Sequence, residues 1–303
     1  MPRRALLLLP GLLAAAWLLA AGCDPADPGQ DAHDGGDDGG EDAGDGAPDA
    51  DDGAREDVGG DETADLEDAP CTGEEVPQPN AGLEEPPGLG GCPAGMAPVP
   101  GGSACIDRWE AFLEELSADG PGPRSPYFNP GAARVVARSA PGAVPQGYVS
   151  RLQAGQACAE AGKRLCTRAE WELACRGSEG RTYPYGNTRQ DGLCNDARAV
   201  HPAVEYFGTS AAWIWSELDH PCLNQLADGL APAGAHPGCA TPEGVLDLMG
   251  NLHEWVDDPA GTFKGGYYVD TRLNGEGCLY TTTAHPAGYW DYSTGFRCCA
   301  EHL

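Results

Sequence analysis

Apolar positions along this chain fall into one long run and many short ones. Residues 5–21 are almost uninterruptedly apolar and follow Pro2-Arg3-Arg4. From residue 24 to about residue 70 there is no aromatic side chain and almost no large aliphatic one. Short periodic pieces then begin. Gly91-Cys92-Pro93-Ala94-Gly95-Met96-Ala97-Pro98-Val99 reads as a turn and a short strand, and residues 104–110 read as a second strand. Residues 117–147 are rich in Pro, Gly, Arg and Ala without a sustained period, and are expected to be an irregular surface insertion. Residues 152–161 carry a helical period stopped by Gly162. Thr167-Arg168-Ala169-Glu170 is a capping box that starts a second helix through Cys175. Beyond Gly177, runs such as Trp213-Ile214-Trp215 and Gly265-Gly266-Tyr267-Tyr268-Val269 are too short for a long helix. The pattern predicts two packed helices, a few short strands and much irregular chain.

A basic start, a short apolar stretch and small residues before Cys23 form the layout of an export signal. The ending Ala20-Ala21-Gly22-Cys23 resembles a bacterial lipobox, which makes Cys23 the lipidation site and ties the chain to a bacterial membrane on the extracytoplasmic side, periplasmic or cell-surface. The apolar run is too short and too broken by Gly and Pro to span a hydrocarbon core of about 30 Å comfortably.

Charge separates the remainder into two parts. Of 47 acidic residues, 23 lie between positions 24 and 90, against the single base Arg55. Such a segment cannot repay the entropy of ordering, so residues 24–90 are expected to be a disordered acidic linker. The expected organisation is a signal peptide over 1–23, this linker, and a folded domain over 91–303. The domain keeps 24 acids and 15 bases and has no basic stripe, which excludes nucleic acid as a partner.

Setting Cys23 aside leaves twelve cysteines, an even number in an exported chain, which argues for disulfides. Cys298 and Cys299 are adjacent and need partners elsewhere. The expectation is that Cys278 pairs with one of them, while Cys71 stands in linker-like sequence and has the alternative of remaining free.

Three blocks carry a family resemblance. Gly162-Lys163-Arg164-Leu165-Cys166-Thr167-Arg168-Ala169-Glu170-Trp171-Glu172-Leu173-Ala174-Cys175-Arg176-Gly177, followed by Tyr183-Pro184-Tyr185-Gly186, is the first. Gly244-Val245-Leu246-Asp247-Leu248-Met249-Gly250-Asn251-Leu252-His253-Glu254-Trp255 is the second. Lys264-Gly265-Gly266 and Gly295-Phe296-Arg297 close the set. Together they resemble the formylglycine-generating enzyme family, or sulfatase-modifying-factor domain, over roughly residues 92–300. The resemblance implies an α+β, formylglycine-generating-enzyme-like and C-type-lectin-like fold with little regular secondary structure.

The same blocks assign local roles. Trp171, Trp255 and Phe296 are large apolar groups in polar segments and read as core anchors. Arg297 reads as a buried hydrogen-bonding group, and Glu170 as a helix cap rather than an acid catalyst. Glu254 has two readings, a buried hydrogen-bond hub or a ligand to a hard cation. The resemblance implies calcium at Gly250, Leu252 and Glu254 with Asn251 near, and a second calcium at Asn195 and Asp196 with Asp228 and Leu230. Oxygen ligands of this kind suit that ion.

Catalytic members of the family hold copper on two cysteines that follow the closing Gly-Gly. Here Asp270 stands at the first of those positions and Gly275 at the second. A carboxylate and a glycine cannot supply the dithiolate that Cu(I) prefers, which argues against copper and against formylglycine generation. The reading that remains is a lipid-anchored binding or scaffold domain whose cleft takes a peptide or another exported protein. The alternative is an oxidase or oxygenase acting on a protein or small molecule in the same cleft. His201, His220, His236, His253 and His285 are available for iron, but no two are ligand-spaced on one element, and the adjacent His253 and Glu254 should diverge.

Overall fold

A computed structural model describes residues 71–102, 104–283 and 285–302. The expected signal, Cys23 and the linker up to residue 70 lie outside these residues. In chain order the elements are β1 (Met96–Pro98), β2 (Ala104–Asp107), β3 (Phe112–Ser117), β4 (Gly120–Pro123), β5 (Val135–Arg138), α1 (Arg151–Glu160), β6 (Arg164–Leu165), α2 (Arg168–Arg176), α3 (Pro202–Phe207), β7 (His253–Trp255), β8 (Phe263–Lys264), β9 (Thr281–Thr282), β10 (Thr294–Phe296) and β11 (Cys298–Glu301), with short 3-10 turns between them. The fold is α+β with sparse regular structure.

Local chemistry accounts for the helices. Ser150 and Gln153 form a capping box at the start of α1, and Thr167 and Glu170 form one at the start of α2. Glu170 is thus a cap. Partial burial opposes its ionisation, but hydrogen bonds from Arg164 and Thr167 hold its carboxyl down at about 2, far from the range of a proton donor at neutral pH. The third helix, α3, is one more than the pattern predicted. Its signals are local: Pro202 at the first turn, the His201 imidazole accepting from Ala203 N, and Gly208 in the left-handed conformation at its end.

Three sheets organise the described residues, in the orders β1-β2-β11-β6, β10-β7-β8-β9 and β4-β3-β5. The pairing of β10 with β7 is parallel and places Gly295 opposite Glu254 and Phe296 opposite Trp255. Trp171, Trp255 and Phe296 are fully buried, as core anchors should be. No helix among the described residues is long and apolar enough to cross a membrane.

Residues 117–147 correct the irregular-insertion reading. They contribute part of β3 and all of β4 and β5, with Val135, Val136, Ala137, Ala140 and Ala143 buried. The strands are short and turn-rich, so their pairing comes from contacts across the sheet that composition does not display.

Residues 71–90 likewise correct the linker boundary. Cys71 is bonded to Cys222. Asn80 is buried, with Nδ2 donating to Val144 O at 2.8 Å and Oδ1 accepting from Val144 N at 2.8 Å. Glu85 accepts from Lys163 Nζ at 3.0 Å. An acidic stretch is ordered here because a covalent link, buried polar partners and the packing of Leu83 against Phe112, Ala140 and Ala143 compensate for its few apolar side chains.

Six disulfides join the twelve described cysteines: Cys71–Cys222, Cys92–Cys105, Cys158–Cys298, Cys166–Cys299, Cys175–Cys278 and Cys194–Cys239. The expected partner of Cys278 is therefore corrected to Cys175. Strand β11 pairs with β6, so Cys299 reaches Cys166 just after β6, and Cys298 reaches Cys158 within α1 instead.

Candidate functional site

The segment 250–254 begins with a forced glycine. Gly250 has φ +81°, and a Cβ there would lie 2.1 Å from Asn195 O. Asn251 follows at φ +56°, a conformation asparagine tolerates better than most residues. Its backbone N–H donates to Asn195 O at 2.8 Å, and its Oδ1 accepts from Asn195 Nδ2 at 2.9 Å and from Ala231 N at 3.0 Å. Its Nδ2 donates to Glu110 Oε2. The two segments expected to hold separate calcium ions are thus knotted directly to one another.

Glu254 is a hub. Its Oε2 accepts from Trp171 Nε1 at 2.6 Å and from Arg297 Nε at 2.7 Å, and its Oε1 accepts from Arg297 Nη2 at 2.6 Å. Arg297 also donates to Asp107 O and Leu246 O, each at 3.0 Å. Both charged side chains are at most 1% exposed. A dication at Gly250, Asn251, Leu252 and Glu254 would have to displace a buried guanidinium, so this set does not fit calcium. The ligand reading of Glu254 is corrected to the hub reading, and Asn251 serves the turn.

Two further carboxylates surround this pair and were missed from sequence, because nothing local marks them as buried. Burial, then the charges of Asp247 and Glu254, push Glu110 well above the ordinary range. Burial also raises Asp247, to about 6, against a hydrogen bond from Gly234 N and the pull of Arg297.

Asn195, Asp196, Asp228 and Leu230, the other expected calcium set, line one open cleft of about 460 Å³. The donors there are hard oxygens, and Asp228 is exposed. Asp196 already accepts from Arg189 and from Thr271 Oγ1, and Arg198 lines the same cleft. Asp228 is the exposed carboxylate of the set, so a hard cation here would have to be held from its side.

A different cleft, of about 290 Å³, opens beside Asp270. Strand β7 delivers His253 to it and β8 delivers Phe263, while His201 comes from the start of α3. The adjacent His253 and Glu254 do diverge, one to this cleft and the other to the core. His253 packs among Phe263, Tyr267 and Tyr280, with ring centroids 5.3, 4.7 and 5.5 Å away. His285 stacks on Tyr289 at 3.9 Å. Tyr292 Oη lies 2.8 Å from His201 Nε2. Burial, then the neighbouring His285, holds His253 down at about 3; burial, then Arg198, holds His201 at about 4, so both rings are neutral at neutral pH. Burial raises Asp291 against hydrogen bonds from Tyr289 and Ser293.

The cleft continues into a second depression of about 260 Å³ bordered by Trp215 and Trp290, with Leu218, Tyr289 and Asp291 common to both. Trp213 and Trp215 are 53% and 47% exposed. From sequence, His201, His253 and His285 read only as histidines available for iron, and the aromatics carry no site reading; they are scattered along the chain, and only the fold gathers them.

The histidines do not converge on a metal. Among the described residues, the one group of three or more His, Cys, Asp or Glu whose ligand atoms lie within 4.8 Å of one another is Cys92, Cys105 and His302, and those two sulfurs are bonded to each other. His220 packs with Tyr206 and Phe207, and His236 borders the Asn195 cleft.

Asp270 lines the histidine cleft. Its carboxylate accepts from Arg272 N at 2.9 Å and from Leu273 N at 3.2 Å, which closes the loop on itself. Gly275 has φ +114°, and a Cβ there would stand 2.8 Å from Leu279 O, so its glycine is structural. Every cysteine among the described residues is disulfide-bonded, so none offers a thiolate.

Among known proteins, an inactive Cα-formylglycine-generating enzyme 2 of Mus musculus is 31% identical over 172 residues, covering 52% of this chain and 49% of its own length. A formylglycine-generating enzyme of Bos taurus is 31% identical over 184 residues, covering 52% and 44%. The chain thus spans about half the length of the curated relatives it matches. Among solved structures, PvdO from Pseudomonas aeruginosa has a TM-score of 0.40 at 15% identity, covering 65% of this chain and 80% of that one. A Major Tropism Determinant variant (I1) has a TM-score of 0.40 at 13% identity, covering 70% and 54%. Residues 125–301 match the family profile of the sulfatase-modifying factor enzyme 1-like domain. The chain belongs to that family.

Proposed function

We propose that this chain is a lipid-anchored, extracytoplasmic binding protein, with a domain of the formylglycine-generating-enzyme fold that does not generate formylglycine. One observation carries the reading: Asp270, which the sequence resemblance sets at the position of the family's first copper cysteine, borders a concave aromatic cleft and accepts hydrogen bonds from its own loop. A concave surface with exposed tryptophans beside it is the form of a recognition site rather than of a plain structural module. The relative named as an inactive formylglycine-generating enzyme supports the loss of this activity within the family. The ligand in this reading is a peptide or another exported protein.

The anchor rests on Ala20-Ala21-Gly22-Cys23 and on six disulfides, which suit an oxidising compartment. Calcium belongs to this proposal at Asn195, Asp196, Asp228 and Leu230, where it would join two loops through oxygen ligands.

The test is a Cu(I) titration of the full chain together with turnover of a cysteine-containing sulfatase peptide. The expected outcome is no stoichiometric tight Cu(I) binding and no formylglycine. Formylglycine in the product peptide would overturn the reading. Mass spectrometry of the mature chain tests the anchor separately, with a diacyl or triacyl adduct on Cys23 expected.

The second reading, an oxidase or oxygenase, draws on the three histidines of the cleft. It needs three converging ligand atoms, and among the described residues these histidines form no such group with one another or with a carboxylate.

A further inference from the structure

We infer that the cleft beside Asp270 binds a cationic side chain, the ammonium of lysine or the guanidinium of arginine, presented by a partner peptide. The inference rests on the binding reading above and narrows it to a ligand class.

Three independent features point the same way. The first is the walls. Tyr267, Tyr280, Tyr289 and Tyr292 present aromatic rings to one space, with Phe263 behind His253. The faces of such rings carry negative quadrupole density and attract a cation within about 6 Å of the centroid. The second is charge. Asp270 and Asp291 border the cleft, and no Lys or Arg does among the described residues. Arg198, the cation felt at His201, is already paired with Glu205 at 2.7 Å. Asp291 accepts from Tyr289 Oη, Ser293 N and Ser293 Oγ, which is the hydrogen-bonding pattern of a carboxylate fixed in place.

The third feature is an orphan. His253 is only 8% exposed and lines this cleft, yet its buried Nδ1 has no hydrogen-bond partner among the described residues. A polar atom left unpaired inside a protein is costly, so such groups are nearly always satisfied. The neutral ring has one accepting nitrogen, and no hydrogen bond among the described residues fixes which, so the tautomer with its N–H on the buried Nδ1 leaves Nε2 to accept from a ligand that brings N–H donors into the cleft. An ammonium or guanidinium brings several donors together with the charge that the carboxylates and rings favour. An anionic ligand would meet two carboxylates and no cation. A purely apolar one would leave the carboxylates desolvated and the imidazole unpaired.

The volume, about 290 Å³, suits one side chain rather than a folded segment. The exposed Trp215 and the half-buried Trp290 of the adjoining depression would take flanking peptide residues.

The experiment uses the full chain in detergent, titrated by calorimetry with acetylated, amidated pentapeptides of alanine whose central residue is Lys, Arg, norleucine or Glu. Lys and Arg peptides are expected to bind about tenfold or more tightly than norleucine, with the preference shrinking as salt is raised. Asp270→Asn and His253→Phe should each reduce that preference. The Phe variant keeps a ring of similar size among Phe263 and Tyr280, and an unchanged melting temperature will establish that it is folded. Norleucine binding as tightly as Lys would overturn the cation inference and leave peptide binding standing. Saturation by none of the four would overturn the inference and remove this cleft from the binding reading. Lys preference unchanged in both folded variants would overturn the placement.

Discussion

Glu254 and Arg297 meet in a two-pronged ion pair across the parallel β7–β10 junction, at 2.6 and 2.7 Å, with both side chains out of contact with solvent. Trp171 of α2 donates to the same carboxylate, so one buried pair joins the helix and the sheet through a single hub. Removing one partner of such a pair leaves a charge buried without compensation. Glu254→Gln is therefore expected to destabilise the domain by about 3–5 kcal/mol, read from urea midpoints. The loss should be the same in calcium and in chelator, because the carboxylate faces a guanidinium and not a cation site.

Calcium, in contrast, is expected to act through Asp228. The melting temperature of the wild-type chain should rise on adding calcium after complete chelation, and Asp228→Asn should remove most of the rise while leaving the chelated melting temperature nearly unchanged. Asp228 is exposed and has φ +55°, a left-handed conformation that asparagine tolerates and alanine does not, so the amide changes the charge and little else. A full rise that survives in Asp228→Asn would remove the ion from this cleft.

The disulfide network gives a third expectation. Cys175–Cys278 closes a loop with a sequence separation of 103 and fastens α2 to the segment that leads into β9. Replacing both cysteines by alanine should destabilise by roughly 3–5 kcal/mol in the chain-entropy account. Non-reducing peptide mapping should return the 175–278 pairing. Recovery of Cys278 linked to Cys298 or Cys299 would contradict the arrangement.

Asn80 tests the domain boundary. Its side chain satisfies both backbone groups of Val144 from a segment that reads as linker. Asn80→Ala leaves that N–H and C=O without partners in a buried site and should cost about 1–3 kcal/mol by denaturant midpoint. A neutral effect would return residues 71–90 to the linker.

These residues also mark where sequence is legible. The capping box of Thr167 and Glu170, the burial of Trp171 and Phe296, and the divergence of His253 from Glu254 all follow from neighbours a few positions apart. Local spacing encodes them, and the structure contains them. The partner of Cys278, the pairing of β3 with β4 and β5, and the docking of Asn80 depend on groups far away in the chain. No local pattern carries that information. The candidate cleft was illegible for the same reason, since His201, His253 and His285 become neighbours only once β7, β8 and the α3 entry are assembled. The identities of Asp270 and Gly275, on which the expected loss of the family's cysteine pair rests, are by contrast read directly from the sequence.

The buried carboxylates predict a pH response whose sign can be worked out. Asp247 is 5% exposed, accepts from Gly234 N at 2.7 Å, and titrates at about 6, against 3.8 for an ordinary aspartate. Between those two values the folded chain holds a proton at this position that the unfolded chain has released. Stability therefore falls as pH rises through this window, by the linkage between proton uptake and folding. His201 and His253 act oppositely, because their folded values near 4 and 3 lie below the ordinary 6.5, so their contribution is lost as pH falls through that range. The wild-type profile mixes the two trends, and Asp247→Asn separates them. Asparagine keeps an oxygen for Gly234 N but never ionises, while the histidines are unchanged. The variant should gain stability relative to wild type at pH 7.5 compared with pH 4.5, by on the order of 1–3 kcal/mol. Urea unfolding of both proteins at the two values measures it. A difference that is independent of pH, or larger at pH 4.5, would show that Asp247 is ionised throughout and that Arg297 is shared between it and Glu254.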